Sequence, residues 1–463
     1  MTVNERELTH DAAPQRLDST TRVLVATMAV AAFIAVLDGT AVTTALHDLQ
    51  GSFGAGVSGI VWVTTGYLIA AGLALPLVGW ATDRFGGRQV FLTGLGIFVL
   101  GSVLSGLAWS VESLIAFRVI QGFGGGLLEP VSLAVVAGAA PRDRVGRVMG
   151  LMSLIINIAP VLGPLVGGLL AGNGLWRGIF LLNLPLGAAV LVSALRTLPR
   201  TAPARAGLRA DVRGMALLSP GFVLVLLAVN RWGEGARGAL PLVLVLAGAA
   251  LMTAYVRHAL RTDAPVLDVR LLAVPEFARA LLIMGIVGFT MYSLLTGLPV
   301  VAERHYGLDG LAQGALVTSL GAGLLVSMSN AARISDRIGP RPLVSAGALT
   351  MVPLLAATAV LHDTLPLLAL MVLLALTGLA FGTVASPTFS SVFRSLPQEQ
   401  AAQGTTGLFI TVQLAASFGV TVLGLLLTQL PEDPFTPLFA VLAVAALAAA
   451  VLARGLPGRS THS

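Results

Sequence analysis

Cysteine and lysine are both absent from the 463 residues, and Asp, Glu, Lys and Arg together make up only 11% of them. Without cysteine there is no disulfide, no thiolate nucleophile and no cysteine-ligated metal. So little charge excludes a water-soluble domain, which carries roughly 25% charged residues. Here 56% of the chain is hydrophobic and the mean hydropathy is +0.89. Histidine is scarce too: His10, His47, His258, His305, His362 and His462 stand singly, no two at metal-ligand spacing. No metal and no cofactor are therefore expected. Strict apolar–polar alternation is missing, which excludes an outer-membrane barrel. No loop is large enough to hold a catalytic domain, so an enzyme acting on lipid-linked substrates is a remote alternative.

What the chain does have is apolar blocks of about 20 residues, each long enough to cross a hydrocarbon core of about 30 Å. Breaks rich in Gly, Pro and charge delimit fourteen of them, at 22–46, 57–78, 90–109, 112–138, 149–171, 179–196, 212–230, 238–258, 278–300, 311–332, 343–361, 366–387, 402–428 and 435–454. An all-α polytopic membrane protein is expected. Twelve spans result instead if the pair between 212 and 258 is a re-entrant hairpin. The first twenty residues are polar and lack an apolar core followed by a cleavage site, so the first span is expected to serve as an uncleaved signal.

Charge sets the topology. With the N-terminus in the cytoplasm, fourteen crossings leave only Arg177, Arg231, Arg237 and Arg304 outside, and put the other loop and tail arginines inside. That is the positive-inside asymmetry. An odd number of crossings would move Arg333, Arg337 and Arg341 outside and is excluded. The formal charge of +6 is thus a topology signal, and nucleic acid is not an expected partner.

An internal repeat divides the chain. Asp83-Arg84-Phe85-Gly86-Gly87-Arg88 follows the second block, and Asp336-Arg337-Ile338-Gly339-Pro340-Arg341 follows the tenth, at the same spacing and on the same side. A weaker echo pairs the Gly-rich end of block four, through Glu129-Pro130, with Gly378 to Pro387 in block twelve. The expected organisation is a tail (1–21), a six-helix bundle (22–197), an inserted pair (212–258), a second six-helix bundle (278–455) and a tail (456–463). Parallel repeats with a substrate site between them are a transporter architecture.

Few charges lie inside the blocks, and each is a functional-site hypothesis by default. Asp38 sits about 12 Å, and Arg118 about 9 Å, from the outer ends of blocks one and four at 1.5 Å per residue, so the two can meet. Glu129 shares Arg118's helix face and lies about 16 Å deeper. A cation and two acids along one cavity would form a proton relay; the bland alternatives are a static Asp38–Arg118 pair and a Glu129 near water. Small residues such as Gly163 and Gly167 mark close helix contact.

Several of these stretches resemble signatures of the major facilitator superfamily. Gly79-Trp80-Ala81-Thr82-Asp83-Arg84-Phe85-Gly86-Gly87-Arg88 resembles its loop between helices two and three, with Asp336, Arg337, Gly339 and Arg341 as the counterpart in the second half. Arg118 through Gly124, which includes Gln121, resembles its fourth-helix motif. Gly163-Pro164 with Gly167-Gly168 resembles its fifth-helix antiporter motif. Leu37-Asp38-Gly39-Thr40-Ala41-Val42, Trp62 to Tyr67, Trp176 to Pro185 and Ala264 to Leu272 look similar to the fourteen-span drug:proton antiporter branch. The resemblance implies a major facilitator fold of two six-helix bundles plus two extra helices. It also implies efflux of amphipathic, often cationic compounds against inward proton flow, with the first-helix acid taking part. A monomer in a bacterial inner membrane, both termini cytoplasmic, is expected. Glu129 departs from the pattern, because the branch usually has an apolar residue there. Export of one endogenous metabolite or antibiotic is an alternative that the sequence does not separate from broad drug efflux.

Overall fold

The computed structural model describes the chain except residues 1–18, 55–56, 141–144, 200–210, 234–237, 264, 309–313, 398–399 and 458–463. The two expected tails lie almost wholly outside the described residues. In a hydrocarbon core no water can satisfy a backbone N–H or C=O, so an apolar chain of this kind must close its hydrogen bonds within helices. The described residues contain helices and no strand. The helices are α1 (Ser19–Thr44), α2 (Leu46–Phe53), α3 (Val57–Ala74), α4 (Leu77–Phe85), α5 (Gly87–Gly106), α6 (Val111–Ala139), α7 (Val145–Ala171), α8 (Trp176–Leu181), α9 (Asn183–Thr197), α10 (Val212–Gly233), α11 (Ala239–Ala259), α12 (Pro275–Tyr306), α13 (Gly314–Ile338), α14 (Pro340–Leu361), α15 (Leu367–Arg394), α16 (Ala401–Gln429) and α17 (Phe435–Ala453).

Twelve spans among the described residues are long and apolar enough to cross a membrane unaided. A thirteenth is the α3–α4 pair, bent by 52°. The bend falls at Leu75-Pro76, where proline has no N–H to continue the ladder. The remaining block is α13, whose apolar part, Gly314–Met328, is shorter than a full span; Asn330, Arg333, Asp336 and Arg337 occupy its last turns. By length and composition twelve spans pass, or thirteen with the bent pair, and the remaining one of the fourteen expected blocks, α13, is a helix that falls short in apolar length. Both helices of the inserted pair pass the test separately. Pro299 and Pro387, read as near block ends, lie inside α12 and α15 instead. Proline is tolerated in membrane helices because neighbours re-satisfy the freed groups.

The repeat has a backbone counterpart. Gly86 has φ 84° and ψ 145°, Gly339 has φ 85° and ψ 161°, and the N–H of each caps its helix at 2.9 Å, on Thr82 and Ser335 respectively. Both positions need glycine, since L side chains avoid this region. The second echo also holds. In the first half α6 packs on α3, and Cβ atoms on Gly122 and Gly126 would collide with the backbones of Tyr67 and Ala71. In the second half α15 packs on α13 through Gly378 and Gly382, against Leu320 and Ser327. Small residues bring these backbones together where membrane helices gain their packing. The halves meet where α7 lies against α13 and α15, and where α16 lies against α4 and α6.

Candidate functional site

Arg118 on α6 has no exposed side-chain surface. Its Nη1 donates to Asp38 Oδ2 at 2.5 Å and to Gln121 Oε1 at 2.9 Å, and its Nε to the Val63 carbonyl at 3.3 Å. The other Asp38 oxygen accepts from Gln121 Nε2 at 2.9 Å and Asn183 Nδ2 at 2.7 Å. Both amides also donate to Ser102 Oγ at 2.9 Å, and Ser102 donates to the Phe180 carbonyl at 2.8 Å. The Tyr67 ring covers the guanidinium at 4.1 Å. Nη2 is buried without a partner. Five helices, α1, α3, α5, α6 and α9, are tied together by one ion pair and the amides around it. Asp38 and Arg118, which their depths allow to meet, are in contact, and Gln121 joins them.

Asn183 and Ser102 complete this cluster and were not among the expected site residues. Asn183 starts α9 just after the break at Leu182, which turns its amide toward Asp38. Its place inside the Trp176 to Pro185 stretch was the available signal.

Between the halves lies a cavity of about 1050 Å³. Its wall includes Tyr67, Gly125, Gly126 and Glu129 from the first half and Tyr292, Thr296 and Gln413 from the second. Glu129 and Asp48 are acids on this wall, and among the described residues that line it none is Arg or His. The cavity runs from Glu129 toward the bundle end that carries Asp48, Gly172 and Gly314.

One expectation changes here. Asp38 and Arg118 do not share a cavity with Glu129, because neither lines it. On α1 the lining positions are Ala35, Val36, Gly39 and Thr40. At 100° per residue Asp38 points roughly 130° away from the centre of that face. Arg118 does share Glu129's face, but the Tyr67 ring lies on it and itself lines the cavity.

The residues expected to gate the cytoplasmic side are mostly helical. Gly79, Asp83 and Arg84 belong to α4, and Gly86 is the turn into α5. A Cβ on Gly79 would stand 3.5 Å from Gln403 on α16 and from the Val266 carbonyl, so this stretch touches the second half directly. Arg88 donates to the Leu198 carbonyl and, at 3.0 Å, to the Leu195 carbonyl, where a cation complements the C-terminal dipole of α9. Arg337 and Arg341 are exposed, and the Asp336 side chain lies outside the described residues. In α7, a Cβ on Gly163 would collide with Thr40 of α1; Gly167 is buried, Gly168 lines the cavity, and the Pro164 side chain lies outside the described residues.

Two helical halves around a central cavity are the architecture of a membrane transporter rather than an enzyme. The sequence profile of the Major Facilitator Superfamily matches residues 28–275 and 280–462, and the chain belongs to that family. It is 34% identical to a Mycobacterium tuberculosis protein named multidrug resistance protein B homolog, over 90% of this chain and 78% of that one. It is 31% identical to the putative multidrug resistance protein MdtD of Salmonella paratyphi B, over 86% and 85% of the two chains. Among solved structures, the human organic anion transporter MFSD10 matches with a TM-score of 0.68 at 20% identity, over 94% of this chain and 99% of that one. The proton:xylose symporter XylE matches at 0.69 and 15%, over 95% and 96%. At these identities the structures speak for the fold alone.

Proposed function

We propose that this transporter exports amphipathic, cationic drugs in exchange for protons, by alternating access of its two halves. The relatives named for multidrug resistance support the drug class. The observation that carries the reading is Glu129, on the wall of a cavity whose described lining residues include no basic side chain. A carboxylate there can pair with a substrate cation or hold a proton but not both, and that competition is a sufficient basis for exchange. Asp38, with Arg118, Gln121 and Asn183, forms the buried polar core through which protonation would act on the packing of five helices. Asp83 and Arg84, with Asp336 and Arg337, serve as the cytoplasmic latches of the two halves.

The arginine asymmetry supports fourteen crossings in a bacterial inner membrane, both termini in the cytoplasm, with bundles at 22–197 and 278–455 flanking the inserted pair. In that orientation Asp48, Gly172 and Gly314 are outermost, the α4–α16 contact is cytoplasmic, and the cavity faces outward. A monomer has both halves of the cavity and is taken as the working unit. The test is Glu129→Gln, measured as resistance to a matched cationic and neutral pair of compounds. Selective loss of cation export is expected, by up to about 3 kcal/mol for a desolvated pair. Equal loss for both would assign Glu129 to the proton or to packing.

A further inference from the structure

The two seams between the halves are closed differently. On one side α7 packs directly on α13 and α15. On the other, α10 of the inserted pair stands between α3 and α16 and packs on both. Its Phe222 ring lies against the bare backbone of Gly72, where a Cβ would approach it to 2.9 Å. Phe222, Leu218 and Leu226 form one buried apolar cluster with Leu75 at the α3–α4 bend and Ile410 of α16. Thr421 of α16 donates to the Val229 carbonyl of α10 at 2.7 Å. Behind α10, α11 packs through Gly248 on Gly221 and Val225 and turns Leu242, Val243 and Leu246 outward.

The same helix reaches the cavity. Leu226 and Leu227 are on its wall, with Gly72 of α3, Leu75 at the α3–α4 bend, and Phe409 and Gln413 of α16. We infer that the inserted pair is a lateral wall of the substrate cavity: α10 closes the α3–α16 seam against lipid, and Leu227 is a substrate-contacting, specificity-determining residue. This rests on the cavity being the transport site, as proposed above. An amphipathic substrate partitions into the bilayer, so a seam left open to lipid would let it escape sideways. A leucine wall gives it apolar contact in the same cavity as the carboxylate of Glu129, the mix of a mostly apolar pocket with a few placed polar groups.

The absence of cysteine makes the test clean, since a single introduced thiol has no background. Leu227→Cys, Ala416→Cys on the α16 wall of the cavity and Val243→Cys on the outer face of α11 are purified in detergent and treated with a charged, membrane-impermeant methanethiosulfonate. Labelling is repeated with tetraphenylphosphonium at about ten times its Kd, which occupies the site enough to slow labelling about tenfold. Leu227→Cys and Ala416→Cys are expected to label and to be protected alike, and Val243→Cys to be unprotected. Protection of Ala416→Cys without protection or labelling of Leu227→Cys would overturn the inference while leaving the cavity as the transport site. Loss of protection at both would overturn the cavity assignment, and the inference with it. As a second readout, Leu227→Trp should weaken export of a bulky cation more than of a small one at equal protein abundance; an equal effect on both would count against it.

Discussion

Replacing Asp38 with Asn leaves a guanidinium with no exposed surface facing an amide in place of its counter-ion. The packing volume is kept, so the perturbation is electrostatic. Breaking one partner of a buried pair costs about 3–5 kcal/mol, because the other charge stays buried and uncompensated. At about 1.4 kcal/mol per tenfold, that is more than a hundredfold in the folded-to-unfolded ratio. Replacing both partners by apolar residues of similar volume removes the orphaned charge, and such replacements are often neutral or stabilising. Asp38→Asn should therefore be markedly less stable than wild type in a detergent unfolding assay, and Asp38→Leu/Arg118→Met should recover to within about 1 kcal/mol. If Asp38 takes part in coupling, neither variant regains proton-driven export, since neither has a carboxyl group to titrate. Wild-type stability of the single variant, or no recovery in the double, would refute the energetic reasoning; full resistance in cells carrying Asp38→Asn at normal abundance would refute the coupling role.

Asp83→Ala should lower turnover more than substrate affinity, because α4 touches the second half at a site remote from the cavity; unchanged turnover with weaker binding would make it a substrate contact. Gly86→Ala and Gly339→Ala should each cost about 1–3 kcal/mol, the strain of a non-glycine residue in that backbone region. Similar losses at both, read by thermal unfolding in detergent, would confirm that the repeat is conformational; a loss at only one would confine the requirement to that half.

Block ends were only partly legible: the second and tenth blocks, read to 78 and 332, run on to Phe85 and Ile338, because the polar residues after them still form helix up to Gly86 and Gly339. They were not legible at proline, since Pro76 bends a span while Pro299 and Pro387 sit within helices, and the difference lies in the neighbours rather than in the chain. The Asp38–Arg118 pairing followed from depth along two helices, because rise per residue survives any packing. The division between cluster and cavity did not follow, because it depends on which face of α1 meets the second half and on Tyr67 covering Arg118. Asn183 and Ser102 are uncharged, and a neutral polar side chain in a span carries little signal until its partner is known. The reach of α10 into the cavity is likewise a tertiary fact, with no mark on Leu226 or Leu227.

Proteoliposomes containing the purified protein, loaded with a lipophilic cation and carrying an imposed pH gradient, test the exchange of substrate for protons most directly. Cation movement driven by the proton gradient, abolished by a protonophore and lost in Glu129→Gln for the cation but not for a neutral analogue, is the expected result. Cation movement that proceeds unchanged without a proton gradient would contradict it.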